Sequence, residues 1–130
     1  MSEGLTSRPY GLLATLPGAY GRVYRRQERS VVELRGEIDI AAVTVIGAYL
    51  DVVTSVRAHE VVVDLTHVEF LDCSGLALLC RARRRTTEFG GHLCVVCARP
   101  TILRVFKAGG VLDVLRTLPT LDAALAAQGG

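Results

Sequence analysis

Val32 and Leu34 alternate with Glu33 and Arg35, the two-residue period of a strand with one buried face. That pattern predicts a strand over 30–35. A second apolar stretch predicts another over 19–26, with the polar Gln27-Glu28-Arg29 as the hairpin loop between them. Val43, Ile46, Leu50 and Val53 then recur at three- and four-residue steps, the stripe of an amphipathic helix over 40–56. Residues 60–65 hold three successive valines followed by Asp64 and Leu65, which reads as a central strand covered on both faces. From Ser74 to Glu88 the helical period returns, with Leu76, Leu79 and Cys80 facing inward and Phe89-Gly90-Gly91 as the stop. A further strand is predicted over 93–98. Pro100 suits the first turn of a short helix with Ile102, Val105 and Phe106 on one face, halted by Gly109-Gly110. Residues 111–115 read as a short last strand, and Thr120 as the N-cap of a final helix running through Ala127. Residues 1–17 show no sustained period and read as a loosely ordered tail, leaving 18–130 as the folded domain.

Strands that alternate with helices imply an α/β fold, with parallel strand pairs joined by right-handed crossovers. The length of 130 residues suits one domain. Half of the residues are hydrophobic and only 5% are aromatic, with no Trp, so the core must be aliphatic. The net charge of +2 is too small to imply a polyanion partner, and no nucleic-acid role is expected. No run approaches the ~18 apolar residues needed to span a bilayer. Glu3, and the halt of Leu12-Leu13-Ala14 at Pro17, make a poor secretory signal. The expected compartment is the cytoplasm.

The chemistry-bearing residues concentrate in one segment. Residues 65–76 run from the end of the valine strand to the start of the second long helix, which places Asp72 and Ser74 at a strand-to-helix junction. Backbone N–H groups there lack helical partners, and a helix N-terminus favours negative charge. Ser74 can therefore cap the helix, or carry a phosphate beside it. Asp39 stands at the start of the first helix in the same way.

Competing chemistries fare worse. A Ser-His-Asp hydrolase needs a Gly-x-Ser-x-Gly elbow, and the residues two before and two after Ser74 are Asp72 and Leu76, so His67 reads as an exposed loop histidine. Gly90-Gly91 and Gly109-Gly110 stand alone and form no phosphate-binding loop. Cys94-Val95-Val96-Cys97 lies in a strand pattern, where positions three apart face opposite ways, and it lacks the second ligand pair of a zinc site. Cys73, Cys80, Cys94 and Cys97 read as reduced, mostly buried thiols, with no metal or cofactor. The arginines of 81–85 read as a solvated helix end.

Three marks together resemble the STAS-domain anti-anti-sigma factors, bacterial antagonists of anti-sigma factors. They are Asp64-Leu65-Thr66 with Phe70-Leu71-Asp72-Cys73-Ser74-Gly75-Leu76; Leu34-Arg35-Gly36-Glu37-Ile38-Asp39; and Gly109-Gly110-Val111-Leu112 with Thr120-Leu121-Asp122-Ala123-Ala124-Leu125. The resemblance implies a single STAS domain: a small mixed sheet of four to five strands with about four helices packed mainly on one side. It implies a binding module and not an enzyme. In its unmodified form such a protein binds an anti-sigma factor, a serine kinase of the histidine-kinase-like ATPase fold, and frees the sigma factor. Phosphorylation, here on Ser74, releases the complex, and a phosphatase resets it. The resemblance also places Asp39, Thr66, Asp72, Cys73, Ser74 and Gly75 at the partner surface. Cys73 stands where the family commonly has Ser. The alternatives are a STAS module in a stress-signalling complex or a lipid-transport accessory subunit, or a small nucleotide-binding domain.

Overall fold

The computed structural model describes residues 11–127. Six strands form one sheet in chain order: β1 (Gly11–Thr15), β2 (Gly21–Arg26), β3 (Arg29–Ile38), β4 (Glu60–Leu71), β5 (His92–Val96) and β6 (Thr117–Leu118). The first two pairings are antiparallel and the last three parallel. The parallel half is built by helices α1 (Ile40–Thr54), α2 (Cys73–Glu88) and α3 (Pro100–Ala108), with the short α4 (Leu121–Ala126) at the end. The class is the mixed α/β sheet expected, with six strands in place of four to five.

Burial divides the molecule into two unequal layers. On one face, Ile46 and Leu50 of α1, Leu78, Leu79 and Ala82 of α2, and Ile102 and Phe106 of α3 pack on Val32, Leu34, Val61, Val63 and Leu65. The other face carries a smaller cluster, in which Ala124 of α4 meets Tyr24, Val31, Val62, Cys94 and Val96. Successive valines of β4 therefore feed opposite layers, as a doubly covered strand requires. Cys97 and Cys94 likewise belong to different layers.

Three expectations need correction. Residues 11–17 are not tail: Gly11–Thr15 pairs with β2, and Pro17–Ala19 forms a single 3-10 turn. The pairing register shifts between Leu12 and Ala14, and both Leu12 and Leu13 are exposed, so no two-residue period survives in the sequence. Residues 1–10 lie outside the described residues. The strand expected over 111–115 is a run of turns; the last strand is Thr117–Leu118, and Leu115 is buried without pairing. The central strand does not end at Leu65 but continues to Leu71.

That extension positions the site. β3 and β4 stay paired to their ends, where Ile38 partners Leu71. Two register shifts occur on the way, between Glu33 and Arg35 and between Gly36 and Glu37. Gly36 holds φ +79 beside the second shift, a conformation side-chain-bearing residues avoid.

Candidate functional site

Each of the paired strand ends runs straight into a helix through an aspartate. Asp39 caps α1, its Oδ1 accepting from the N–H groups of Ala41 and Ala42 at 3.1 Å each. Asp72 caps α2, with Oδ1 accepting from Ser74 N–H at 2.9 Å and Gly75 N–H at 3.1 Å. The backbone N–H of Asp72 also donates to Ile38 O at 3.3 Å, tying the two strand ends together. Two helix N-termini, each with a carboxylate, thus emerge from neighbouring parallel strands.

Ser74 is not the cap that its position predicts. It occupies the second residue of α2, and its hydroxyl donates to Asp72 Oδ1 at 2.5 Å. The Ser74 hydroxyl, followed by the Gly75 N–H, holds the Asp72 carboxyl below its ordinary value of 3.8. Asp72 is consequently an ionised acceptor at neutral pH, aimed at the serine hydroxyl. Ser74 remains partly exposed.

Gly75 is buried against the strand ends. A Cβ there would lie 2.8 Å from Leu71 Cγ and 3.2 Å from both Cγ2 and O of Ile38. Its absence lets the first turn of α2 settle onto the Ile38–Leu71 pair. Gly75 thus sets how closely α2 packs on the strand ends. Cys73, by contrast, is exposed at the first position of α2.

Ser74 opens onto a groove between α1 and α2. Ile40, Val43, Thr44, Gly47 and Ala48 form one wall, Ala77 and Leu78 the other. Ile40 directly follows the Asp39 cap and is 74% exposed, a large apolar side chain with no cover in the described residues. The far end of the groove is closed by an ion-pair clasp. Arg81 donates to both Asp51 oxygens, at 3.2 and 2.9 Å, while Arg85 lies 3.6 Å from Asp51 and also donates to Ser55 Oγ. Part of the arginine run expected to be merely solvated thus fastens α2 to α1.

Asp39, Asp72, Cys73, Ser74 and Gly75 meet at this one end of the sheet. Thr66 does not join them. It is exposed on β4, in a second groove that also holds Asp64, His67, Tyr24 and Leu121 on the α4 side of the sheet. Nothing in the sequence spacing singles out Ile40 or the Asp51 clasp; the only sequence sign of Ile40 is an isoleucine placed directly after a capping aspartate. His67 is exposed as expected, though on strand β4 rather than in a loop. Among the described residues no group of three or more His, Cys, Asp or Glu could hold a metal ion, and no helix is long and apolar enough to cross a membrane.

The chain belongs to the STAS domain family, whose profile matches residues 20–124. It is 30% identical over 102 residues to the anti-sigma-F factor antagonist RsfA of Mycobacterium tuberculosis, covering 75% of this chain and 77% of that one. A second Mycobacterium tuberculosis protein, named as an anti-anti-sigma factor, is 36% identical over 64 residues, which is 49% of this chain and 43% of the relative. The chain thus spans less than half the length of that second relative. Among solved structures, an anti-sigma factor antagonist from Mycobacterium paratuberculosis superimposes with a TM-score of 0.73 at 28% identity, over 89% of this chain and 91% of that one.

Proposed function

We propose that this protein is an anti-sigma factor antagonist that works by partner switching. Unmodified, it binds an anti-sigma factor across the α1–α2 groove and so frees a sigma factor in the cytoplasm. The anti-sigma factor is itself a serine kinase of the histidine-kinase-like ATPase fold. It phosphorylates Ser74, the complex separates, and a phosphatase restores the binding form. The protein acts as a docking module and not as an enzyme.

The observation that carries this reading is the placement of the Ser74 hydroxyl, 2.5 Å from the Asp72 carboxylate, at the mouth of an apolar groove. A phosphate there brings about −1.5 to −2 charge at neutral pH. Arg81, the cation that lines the groove with Ser74, is held by Asp51 at the far end of that groove. The dianion would face Asp72 directly. A partner covering Ile40 and Ala77 would have to strip it of water, at a cost that an interface formed around a neutral hydroxyl does not bear.

The test is capture followed by mass. Unmodified protein should co-purify with an anti-sigma factor, and added ATP should dissolve the complex and add one phosphate per chain. Failure to capture such a partner, or release without a gain in mass, would defeat the reading.

A further inference from the structure

The Asp72–Ser74 arrangement occurs twice. Eight residues upstream, Asp64 Oδ1 accepts from the Thr66 N–H at 2.9 Å and from the Thr66 hydroxyl at 2.5 Å, the same two bonds at the same lengths as in Asp72–Ser74. The surroundings differ in one way that matters: Asp64 is buried, 5% exposed, whereas Thr66 is exposed. A buried, fixed carboxylate thus presents an outward hydroxyl.

The strand geometry explains the exposure. Pairing of β5 with β4 ends at Asp64–Val96, so beyond it β4 has no strand partner on that side among the described residues. On the other side, Glu33 pairs with Asp64 and Arg35 with His67, which sets Leu65 and Thr66 against Leu34 alone. Thr66 therefore sits in a bulge, a device that re-aims a side chain out of the ladder. It opens into a groove whose lining includes Arg26, His67 and Thr120. Arg26 places a cation in the lining of this groove, where Glu33, Asp64 and Asp122 also lie.

We propose that Thr66 is a second phosphoacceptor. The inference rests on the proposed function only for the presence of a nucleoside-triphosphate-dependent kinase. In the transfer, Thr66 Oγ attacks the γ-phosphorus of the nucleoside triphosphate. The new O–P bond forms as the bond to the diphosphate breaks, the diphosphate leaves with that electron pair, and the hydroxyl proton passes to Asp64. Because Thr66 lies on the α4 side of the sheet, its phosphate adds charge outside the α1–α2 groove. It marks the molecule without occupying the surface that Ser74 controls.

The experiment is phosphopeptide mapping of the full chain and of its Ser74→Ala variant, each recovered from the protein's native cells. Cleavage after Arg57 and Arg81 leaves both hydroxyls on one peptide, 58–81, and fragmentation between them assigns each phosphate. The expected result is phosphate on Thr66 in both proteins and on Ser74 only in the wild type. Phosphate confined to Ser74 would overturn the inference and leave the proposed function intact. Phosphate on Thr66 alone in the wild type would uphold the inference and defeat Ser74 as the switch, and no phosphate at either position would defeat both.

Discussion

Ile38 and Leu71 are register partners at the last rung of two parallel strands, and their pairing sets the Asp39 cap on the strand next to the Asp72 cap. The candidate site follows from that rung. Both side chains point into the larger core, so the aspartates that follow them leave the sheet at the same level and both helices start there. The groove between α1 and α2, with Ser74 at its mouth, is the space left between two helices launched side by side.

The switch should respond to charge at Ser74. Ser74→Ala keeps the groove neutral and is expected to bind the anti-sigma factor while resisting inactivation by ATP. Ser74→Asp and Ser74→Glu should weaken binding by at least ~1.4 kcal/mol, a tenfold rise in Kd. A carboxylate carries less charge than phosphate, so the mimic need not equal the modified protein. Calorimetry with one partner and all three variants decides the matter; equal affinities would move the interface away from Ser74.

Gly75→Ala tests the packing beneath the site. Its Cβ would arrive 2.8 Å from Leu71 Cγ and 3.2 Å from a backbone oxygen that has little room to yield. The expected cost is about 1–3 kcal/mol of stability, the usual range for overpacking a tight contact. A urea titration should show a lower midpoint with an unchanged slope. Partner affinity should fall as well, because the displaced first turn carries Ser74.

His59 gives the fold a pH dependence remote from the site. Its Nε2 lies 2.6 Å from the hydroxyl of the buried Ser30, and burial first, then the charge of Arg25, holds its pKa below the ordinary 6.5. The unfolded chain therefore takes up a proton before the folded one does. The stabilisation is complete above pH 6.5 and is lost as pH falls through the lower, folded value. Urea midpoints of the wild type should decline from pH 7 toward pH 5. His59→Gln, which cannot titrate, should flatten that decline; an equal slope in both proteins would remove His59 as its source.

The cysteines of the strand pattern should prove structural. Cys94 and Cys97 are buried in different layers, and burial raises both thiol pKa values, which keeps them protonated and unreactive. Cys94→Ala and Cys97→Ala should each cost about 1–2 kcal/mol through imperfect packing, with partner binding unchanged. Stoichiometric zinc in the purified protein, or binding that oxidation abolishes and a reductant restores, would contradict this assignment.

How far the sequence was legible depends on periodicity. α1 was readable because Ile46, Leu50 and Val53 are buried at helical spacing, and β4 because its valines feed both layers. The pattern failed where the backbone breaks register. The bulge in β1 exposes two successive leucines, and the irregular half of β4 mixes Thr66, His67, Glu69 and Phe70 on the surface, so neither reads as strand. Residues 111–115 mislead in the opposite sense: Val, Leu, Val and Leu mimic a strand, yet only Leu115 is buried and the chain there is turning. At the site, residue types fixed the location but left open which of Asp72 and Ser74 caps α2. The carboxylate, the better acceptor for two N–H groups, took the cap and left the hydroxyl as its donor.

The smaller layer has a consequence for how the molecule comes apart. Among the described residues its one helical cover is α4, six residues long, held by the Thr120 cap and by Arg29, which donates to Ala127 O at 2.8 Å. So brief a helix has little cohesion of its own and depends on what it touches. Lifting it requires no change in α1 or α2, yet it uncovers Val31, Val62 and Val96 along one strip of sheet. The domain thus has a shallow exit from the native basin on the face away from the α1–α2 groove, through which it can become adhesive while that groove remains intact.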